Sequence, residues 1–278
     1  MTKIGLITLN SSDDPRANLG VTRELVIKAA DAGAEFVLTP EVSNCVSSSR
    51  AHQKQVLFRE EEDPTLAALR ETARLRGIWL LIGSLGLKTD DPDGRFANRS
   101  FLISPEGEIK ARYDKIHMFD VDVSETEKYR ESDGYRPGTK AVVAETPFGK
   151  IGMTICYDLR FPKLHRALAK AGAQILVAPA AFTAVTGEAH WHSLLRARAI
   201  ETGCFVLAPA QTGHHAEKVD VNRRTYGHSL VISPWGEVLF DGGVEPGLGL
   251  VDIDLDEVAR ARKRIPSLLH DRDFEVDA

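Results

Sequence analysis

Four segments of this 278-residue chain occur twice in the same order, and a duplication on that scale restricts the possible folds more than composition does. KIGLITL (3–9) returns as KIGMTIC (150–156), and AGAEFVLTP (32–40) returns as AGAQILVAP (171–179). RGIWLLIGS (76–84) is echoed by TGCFVLAPA (202–210), and SFLISPEGEIKARYD (100–114) matches SLVISPWGEVLFDGG (229–243). The second pair is a helix end with Gly followed by an apolar strand, and the last is two strands joined by a Ser-Pro-x-Gly turn. Each half therefore reads as strand, helix, strand, helix, strand, hairpin. The near-continuous apolar character of the strands says that both of their faces are covered. Two mixed sheets packed face to face, with helices 18–32, 65–76, 161–171 and 188–202 outside, make an α/β four-layer αββα sandwich. One domain over 1–278 without a linker is expected. The longest segment without a pattern, roughly 116–139, is a candidate active-site loop. The acidic run 60–63 before Pro64 reads as a helix entry with a favourable dipole rather than a metal cluster.

Composition narrows the class. Hydrophobic residues make up 43% and charged residues 27% of the chain, which fits a globular protein and neither disorder nor a membrane span. The start MTKIGLITLN runs straight into a strand pattern with no leader-like segment, so a cytoplasmic location is expected. Three cysteines with no Cys-x-x-Cys spacing read as free thiols. The net charge of -5 is spread over interspersed acids and bases. A basic stripe for nucleic acid is missing from the sequence, and a small-molecule partner is expected.

Three residues stand at strand ends where chemistry can be done. Cys156 ends the strand 151–155 and opens an elbow into a helix near Pro162. A side chain there points into a cleft, and following backbone N–H groups near a helix N-terminus can donate to an anion. A thiol with its usual pKa of about 8.5 attacks only if a base or a positive field activates it; the alternative is a buried structural thiol. Glu41 follows the strand 35–39 in LTPEVS, where the repeat holds Ala181. Its carboxylate can take a thiol proton and return it to a leaving amine, and a solvated loop carboxylate is the other reading. Lys115 closes the first hairpin, and an ammonium in the same cleft is expected to depress the thiol pKa and hold an oxyanion; an ordinary surface lysine is the alternative.

Together LTPEVS, RYDKIHMFD and MTICYDLRFP resemble the Glu-Lys-Cys motifs of the nitrilase (carbon-nitrogen hydrolase) superfamily, over nearly the whole chain. The resemblance implies that Glu41 is the general base, Lys115 the oxyanion-stabilising cation and Cys156 the nucleophile. Glu131 in RESDGYRPG matches a fourth residue that positions substrate or lysine. Tyr157, through its backbone N–H, with Phe182 and Thr183, is then expected in the oxyanion and substrate-binding set. The likeness also implies an αββα sandwich that forms a homodimer through helices near Cys156, and attack on an amide with release of ammonia, without metal or organic cofactor. Segments 181–215 and 225–236 resemble the amidase branch associated with deaminated glutathione, with omega-amidases acting on alpha-ketoglutaramate-type amides as neighbours and a nitrilase acting on a C≡N bond, or an N-carbamoyl amidohydrolase, as the alternative within the superfamily. Two departures are Gly-Glu-Ala-His-Trp in place of Gly-Pro-Ala-His-Trp, and a longer loop at 219–224.

Other readings compete. His190, His192, His214, His215 and His228 raise a metal site, although His190 and His192 lie two apart on a helix and face away from each other. The pair His214–His215 reads as shaping the cleft mouth or solvated. A papain-like pair of Cys156 with His190 or His228, and a catalytically silent scaffold, are further alternatives. Asp158 and Arg160 read as an ion pair bracing the elbow. Arg196, Arg198 and Glu201 read as surface pairing, with one arginine a candidate for a substrate carboxylate. Cys45 is placed in the core or pocket wall, and Cys204 in the core.

Overall fold

Strand β1 (Thr2–Thr8) buries all but one of its residues, and the chain then turns into helix α1 (Pro15–Asp31). Asp14 caps α1 by accepting from the backbone N–H groups of Arg16 and Ala17, and Pro15 occupies the first helical position where no N–H is needed. A computed structural model describes every residue except 124, 126, 127, 217–222 and 278. The first half continues through β2 (Phe36–Leu38), α2 (Arg50–Val56), α3 (Pro64–Arg76), β3 (Trp79–Leu87), β4 (Ala97–Ile103) and β5 (Ile109–Asp114). The acidic run is a helix entry as expected: Asp63 caps α3 through the N–H of Leu66, while Glu60 pairs at 2.7 Å with both Arg99 and Arg112.

The segment 116–139 is more ordered than its lack of pattern implied. It holds the hairpin β6 (Asp120–Asp122) and β7 (Lys128–Arg130), followed by a 3₁₀ turn at Glu131–Asp133. Strands as short as DVD and KYR have no apolar alternation to read. The second half runs through β8 (Val142–Thr146), β9 (Gly149–Met153), α4 (Pro162–Lys170), β10 (Ile175–Val177), α5 (Ala184–Thr202) and β11 (Phe205–Ala208). It continues with β12 (Thr212–His214), β13 (Arg224–Tyr226), β14 (Leu230–Ile232) and β15 (Val238–Asp241), and then β16 (Gly247–Ile253) and α6 (Asp256–Arg264).

Two six-stranded sheets result, ordered β16-β1-β2-β3-β4-β5 and β15-β14-β11-β10-β9-β8. In each, three central strands are parallel and the flanking ones antiparallel. The duplication is visible down to the turns. Gly107 N–H donates to Ser104 O and Gly236 N–H to Ser233 O, both at 2.9 Å, with φ of 78° and 90° that suit glycine.

Alternation along the strands sorts side chains between two cores. Ile4, Leu6, Phe36, Leu38 and Leu81 face the second sheet and pack in one cluster with Ile151, Met153, Ile175 and Val177. Ile7, Val37 and Leu80 point the other way, against Val26, Ala29, Leu66 and Leu69 of α1 and α3. Trp191, Leu195 and Ala199 of α5, with Leu164 and Leu168 of α4, complete the cluster on the second sheet's side. The order helix, sheet, sheet, helix is the predicted four-layer arrangement. The halves meet closely at Gly83, where a Cβ would lie 1.9 Å from Thr39 O of its own half and 2.6 Å from the Pro179 side chain of the other. Only glycine lets the segment that carries Glu41 sit against the Pro179 turn, which in turn accepts the Cys156 N–H at 2.9 Å.

Candidate active site

Cys156, Glu41, Lys115 and Glu131 come from four separate chain segments and meet at the floor of one cavity of about 560 Å³. The thiol sits where β9 has ended, with φ of 50°, a left-handed conformation that a non-glycine residue adopts only under surrounding constraint. A 3₁₀ turn (Cys156–Arg160) separates it from α4. The helix begins at Pro162, as expected, and the elbow leading into it is this single 3₁₀ turn.

Asp158 supplies the constraint, though not with Arg160 as expected. It is fully buried and accepts from Ile155 N at 2.9 Å, Tyr113 Oη at 2.6 Å, His117 N at 3.0 Å and His117 Nδ1 at 2.7 Å. A buried carboxylate needs this many donors, and they tie the Lys115 segment to the Cys156 turn. Arg160 instead places its guanidinium 5.2 Å from the Phe182 ring centre and approaches His190.

Lys115 is 2% exposed. Its ammonium donates to Glu41 Oε1 at 2.9 Å and to Glu131 Oε1 and Oε2 at 2.9 and 2.8 Å. A buried ammonium survives only with such compensation. Burial works against its charge, yet Glu131 and Glu41 together hold its pKa well above the ordinary lysine value. Burial likewise works against the charge of Glu41, but Lys115, the Cys156 thiol and Asn98 hold its carboxyl below the usual range. Its second oxygen accepts the Ala181 N–H at 2.7 Å. The repeat position opposite Glu41 thus contributes a backbone donor. Glu131 is further fixed by Phe119 N at 2.7 Å.

The expected depression of the thiol pKa is not found. Burial and the charge of Glu41 push the Cys156 thiol well above its usual value, outweighing the pull of Lys115. The reason is charge balance: one ammonium is already matched by two carboxylates, so a thiolate would be a third buried anion. The two directions favour a neutral thiol hydrogen-bonded to an ionised Glu41, a carboxylate placed to accept its proton.

Tyr157, Phe182, Thr183 and Cys45 line the same cavity, as expected, and Cys204 is buried in the core. Arg196 and Arg198 do not reach it. Arg196 donates to Gly236 O, and the buried Arg198 donates to Leu159 O and pairs with Glu201. The cavity's cations are Arg50, Lys128, Arg130, Arg223 and Lys115. Arg130 is paired with Asp122 at 2.8 Å. Sequence reading also missed Asn98, whose Nδ2 donates to Glu41 Oε1 at 2.9 Å; the polar Asn inside the apolar strand β4 was the available signal. His215 is buried rather than solvated, bonded to Ser11 O and Thr225 Oγ1 at 2.7 Å each. No histidine stands among the described residues of the cavity wall, so the papain-like pairing has no counterpart there. Of the longer loop at 219–224, residues 219–222 lie outside the described part.

The carbon-nitrogen hydrolase profile matches residues 3–263. The chain belongs to the carbon-nitrogen hydrolase family. It is accordingly a hydrolase of carbon-nitrogen bonds of the amide type. A protein named deaminated glutathione amidase from Yersinia enterocolitica is 42% identical over 97% of this chain and 92% of its own length. One of the same name from Mus musculus is 38% identical, over 97% and 83%. Among solved structures, the C. elegans NitFhit protein superposes with a TM-score of 0.89 at 34% identity, covering 98% of this chain and 65% of that one. An amidase variant from Nesterenkonia sp. AN1 superposes with a TM-score of 0.78 at 26% identity, over 96% and 98%, and carries acrylamide added to its active-site cysteine. No helix among the described residues is long and apolar enough to cross a membrane.

Proposed function

We propose that this hydrolase cleaves the amide of a small carboxylate-bearing substrate, deaminated glutathione first among them, through a thioester on Cys156. The observation that carries the reading is the contact chain Cys156–Glu41–Lys115–Glu131 in a cavity also lined by Arg50, Lys128 and Arg223. In the reaction, Cys156 Sγ attacks the amide carbon while its proton passes to Glu41. The Lys115 ammonium and the Tyr157 N–H hold the oxyanion, worth roughly 3–4 kcal/mol per good donor. Collapse breaks the C–N bond, and Glu41 returns the proton to the departing nitrogen. Glu41 then activates a water that hydrolyses the thioester, giving a carboxylic acid and the free thiol. Glu131 positions Lys115, and Phe182 and Thr183 line the acyl side.

A primary amide releases ammonia by this route. Deaminated glutathione carries a secondary amide, so its leaving group is the amine of cysteinylglycine and its acyl product a 2-oxo dicarboxylate. Anionic groups at both ends of that substrate suit the cationic lining. The three free thiols fit a reducing cytoplasm, and the exposed Val185 and Ile200 on α5 fit a homodimer formed through that helix, with 1–278 acting as one catalytic unit.

The test is product release from a panel: deaminated glutathione (2-oxo acid and dipeptide), alpha-ketoglutaramate (ammonia), a simple aliphatic amide, an N-carbamoyl amino acid and an aliphatic nitrile. Highest kcat/KM on deaminated glutathione is expected. Preference for the neutral amide would remove the role given to the cationic lining.

A further inference from the structure

His192, His228 and Asp241 converge from three parts of the fold, away from the catalytic cavity. His192 lies on α5, His228 follows β13, and Asp241 ends β15. One nitrogen of each imidazole and one Asp241 oxygen all lie within 4.8 Å of one another. His192 Nε2 is 3.0 Å from Asp241 Oδ2, and His228 Nδ1 is 2.8 and 3.1 Å from Oδ1 and Oδ2.

The trio is held from behind. Gly243 N–H donates to Asp241 Oδ1 at 2.9 Å, and its carbonyl accepts the His228 N–H at 2.7 Å. The carbonyl of His228 accepts from Nε1 of the fully buried Trp191 at 2.8 Å. The Tyr226 ring stacks on the His228 imidazole at 4.5 Å. His228 itself has φ of 56°, a left-handed conformation that costs on the order of 1–3 kcal/mol for a residue with a side chain. Fixed backbone, fixed ring and fixed carboxylate together aim three donor atoms at one point.

We propose that His192, His228 and Asp241 form a binding site for a divalent transition-metal ion of the zinc class, separate from the catalytic cavity. Two imidazoles and one carboxylate are a ligand set that zinc takes readily, leaving a fourth position for water. Tetrahedral bonds of about 2.0–2.2 Å put donor atoms somewhat over 3 Å apart. The present nitrogen–oxygen separations need to open by only a few tenths of an ångström. The metal replaces the two N–H···O contacts to the carboxylate, and each ring then carries its proton on the far nitrogen. Side-chain exposures of 35% for His192 and Asp241 and 23% for His228 leave an entry path. Neither neighbouring His190 nor His214 belongs to the set; the spacing of His190 and His192 on one helix hid a site whose other two ligands come from the strand side. A bound ion would clamp α5 to the 224–241 segment. Helix α5 lines the cavity at Thr186, and Arg223, which also lines it, directly precedes that segment.

The test is titration of the full-length Cys156→Ser protein with Zn²⁺ against a competing chromophoric chelator, with thermal melts alongside. Cys156→Ser removes the cavity thiol as a rival ligand. One ion per chain and a rise in Tm are expected. In the Cys156→Ser/His192→Ala protein, binding should weaken by more than the roughly 10- to 100-fold that loss of an outer-shell partner costs, and the Tm rise should vanish. His192 lies on a partly exposed helix face where alanine is well tolerated, so far-ultraviolet circular dichroism should be unchanged. Asp241→Asn, of similar shape, should weaken binding likewise. Failure of the Cys156→Ser protein to bind Zn²⁺, or equal binding in the His192→Ala background, would overturn the proposal.

Discussion

At the scale of single residues, the site separates two jobs often given to one group. Glu41 is kept ionised by Lys115, and Cys156 is kept protonated by burial and by Glu41. In the proposed mechanism, proton transfer is therefore coupled to attack instead of preceding it. Glu41→Gln should lower turnover by roughly 10²- to 10⁴-fold, the usual worth of a general base. It should also let the Cys156 thiolate titrate at lower pH than in the wild type, because the main charge opposing ionisation is gone. Thiolate ultraviolet absorbance against pH reads this directly; an unchanged or higher midpoint would mean that Glu41 does not set the thiol. Lys115→Met leaves the buried Glu41 and the partly buried Glu131 without their cation. Stability should drop by about 3–5 kcal/mol and turnover by roughly 10²- to 10³-fold, measured by urea unfolding and steady-state rates. The stability loss should be smaller in acid, where one carboxylate takes up a proton. That Glu41, Lys115 and Cys156 share one cavity was legible in the sequence, since each is an ionisable or nucleophilic group at the end of a strand or hairpin and the three motifs resemble one family together. The direction of the thiol shift was not, since it depends on how many carboxylates fold in around one ammonium.

Among elements, the feature that joins the Lys115 segment to the Cys156 turn is Asp158. The sequence offered Arg160 as its neighbour at short range, whereas the fold brings Tyr113 and His117 from the far side of the sandwich. Long-range partners of this kind leave no mark in local spacing. Asp158→Asn replaces an acceptor of four hydrogen bonds with a group that must also place two N–H donors. It should cost about 1–3 kcal/mol and lower kcat more than KM, because it loosens Cys156 relative to Lys115 without touching the cationic lining. Parallel thermal melts and kinetics check this; an unchanged kcat would deny Asp158 its positioning role. The four helices read from the sequence lie within four residues of α1, α3, α4 and α5, as caps such as Asp63 and stops such as Gly77 are local signals, whereas α2 and α6 were not read. The β6–β7 hairpin was not, for its strands are three residues each and mostly polar.

At the scale of the whole molecule, the duplication predicted both sheets and the four layers, because each half repeats its pattern of apolar strands and turns. Strands β8 and β16 take equivalent places in the two sheets, and that closing exchange follows only from the assembled fold. Buried histidines give the molecule a pH limit. Burial lowers both His165 and His215 to about 4 from 6.5. The folded state therefore binds fewer protons than the unfolded chain between about pH 6.5 and 4, and stability is lost as pH falls through that window. Each contributes up to about 3 kcal/mol. Asp63, raised by burial to about 6 from 3.8, acts in the opposite direction over most of the window and offsets one of them. A net fall of about 1.4 kcal/mol per pH unit is expected in calorimetry. His165→Leu, which also removes a buried ring nitrogen without a partner, should flatten it; a slope unchanged by that substitution would assign the acid sensitivity elsewhere.

The central claim is that carbon-nitrogen cleavage proceeds through Cys156 with Glu41 beside it. The most direct measurement is 2-oxo acid release from saturating deaminated glutathione by the wild type and by a correctly folded Cys156→Ala protein. The account predicts a loss of roughly 10⁴-fold or more, whereas turnover within tenfold of the wild type would contradict it.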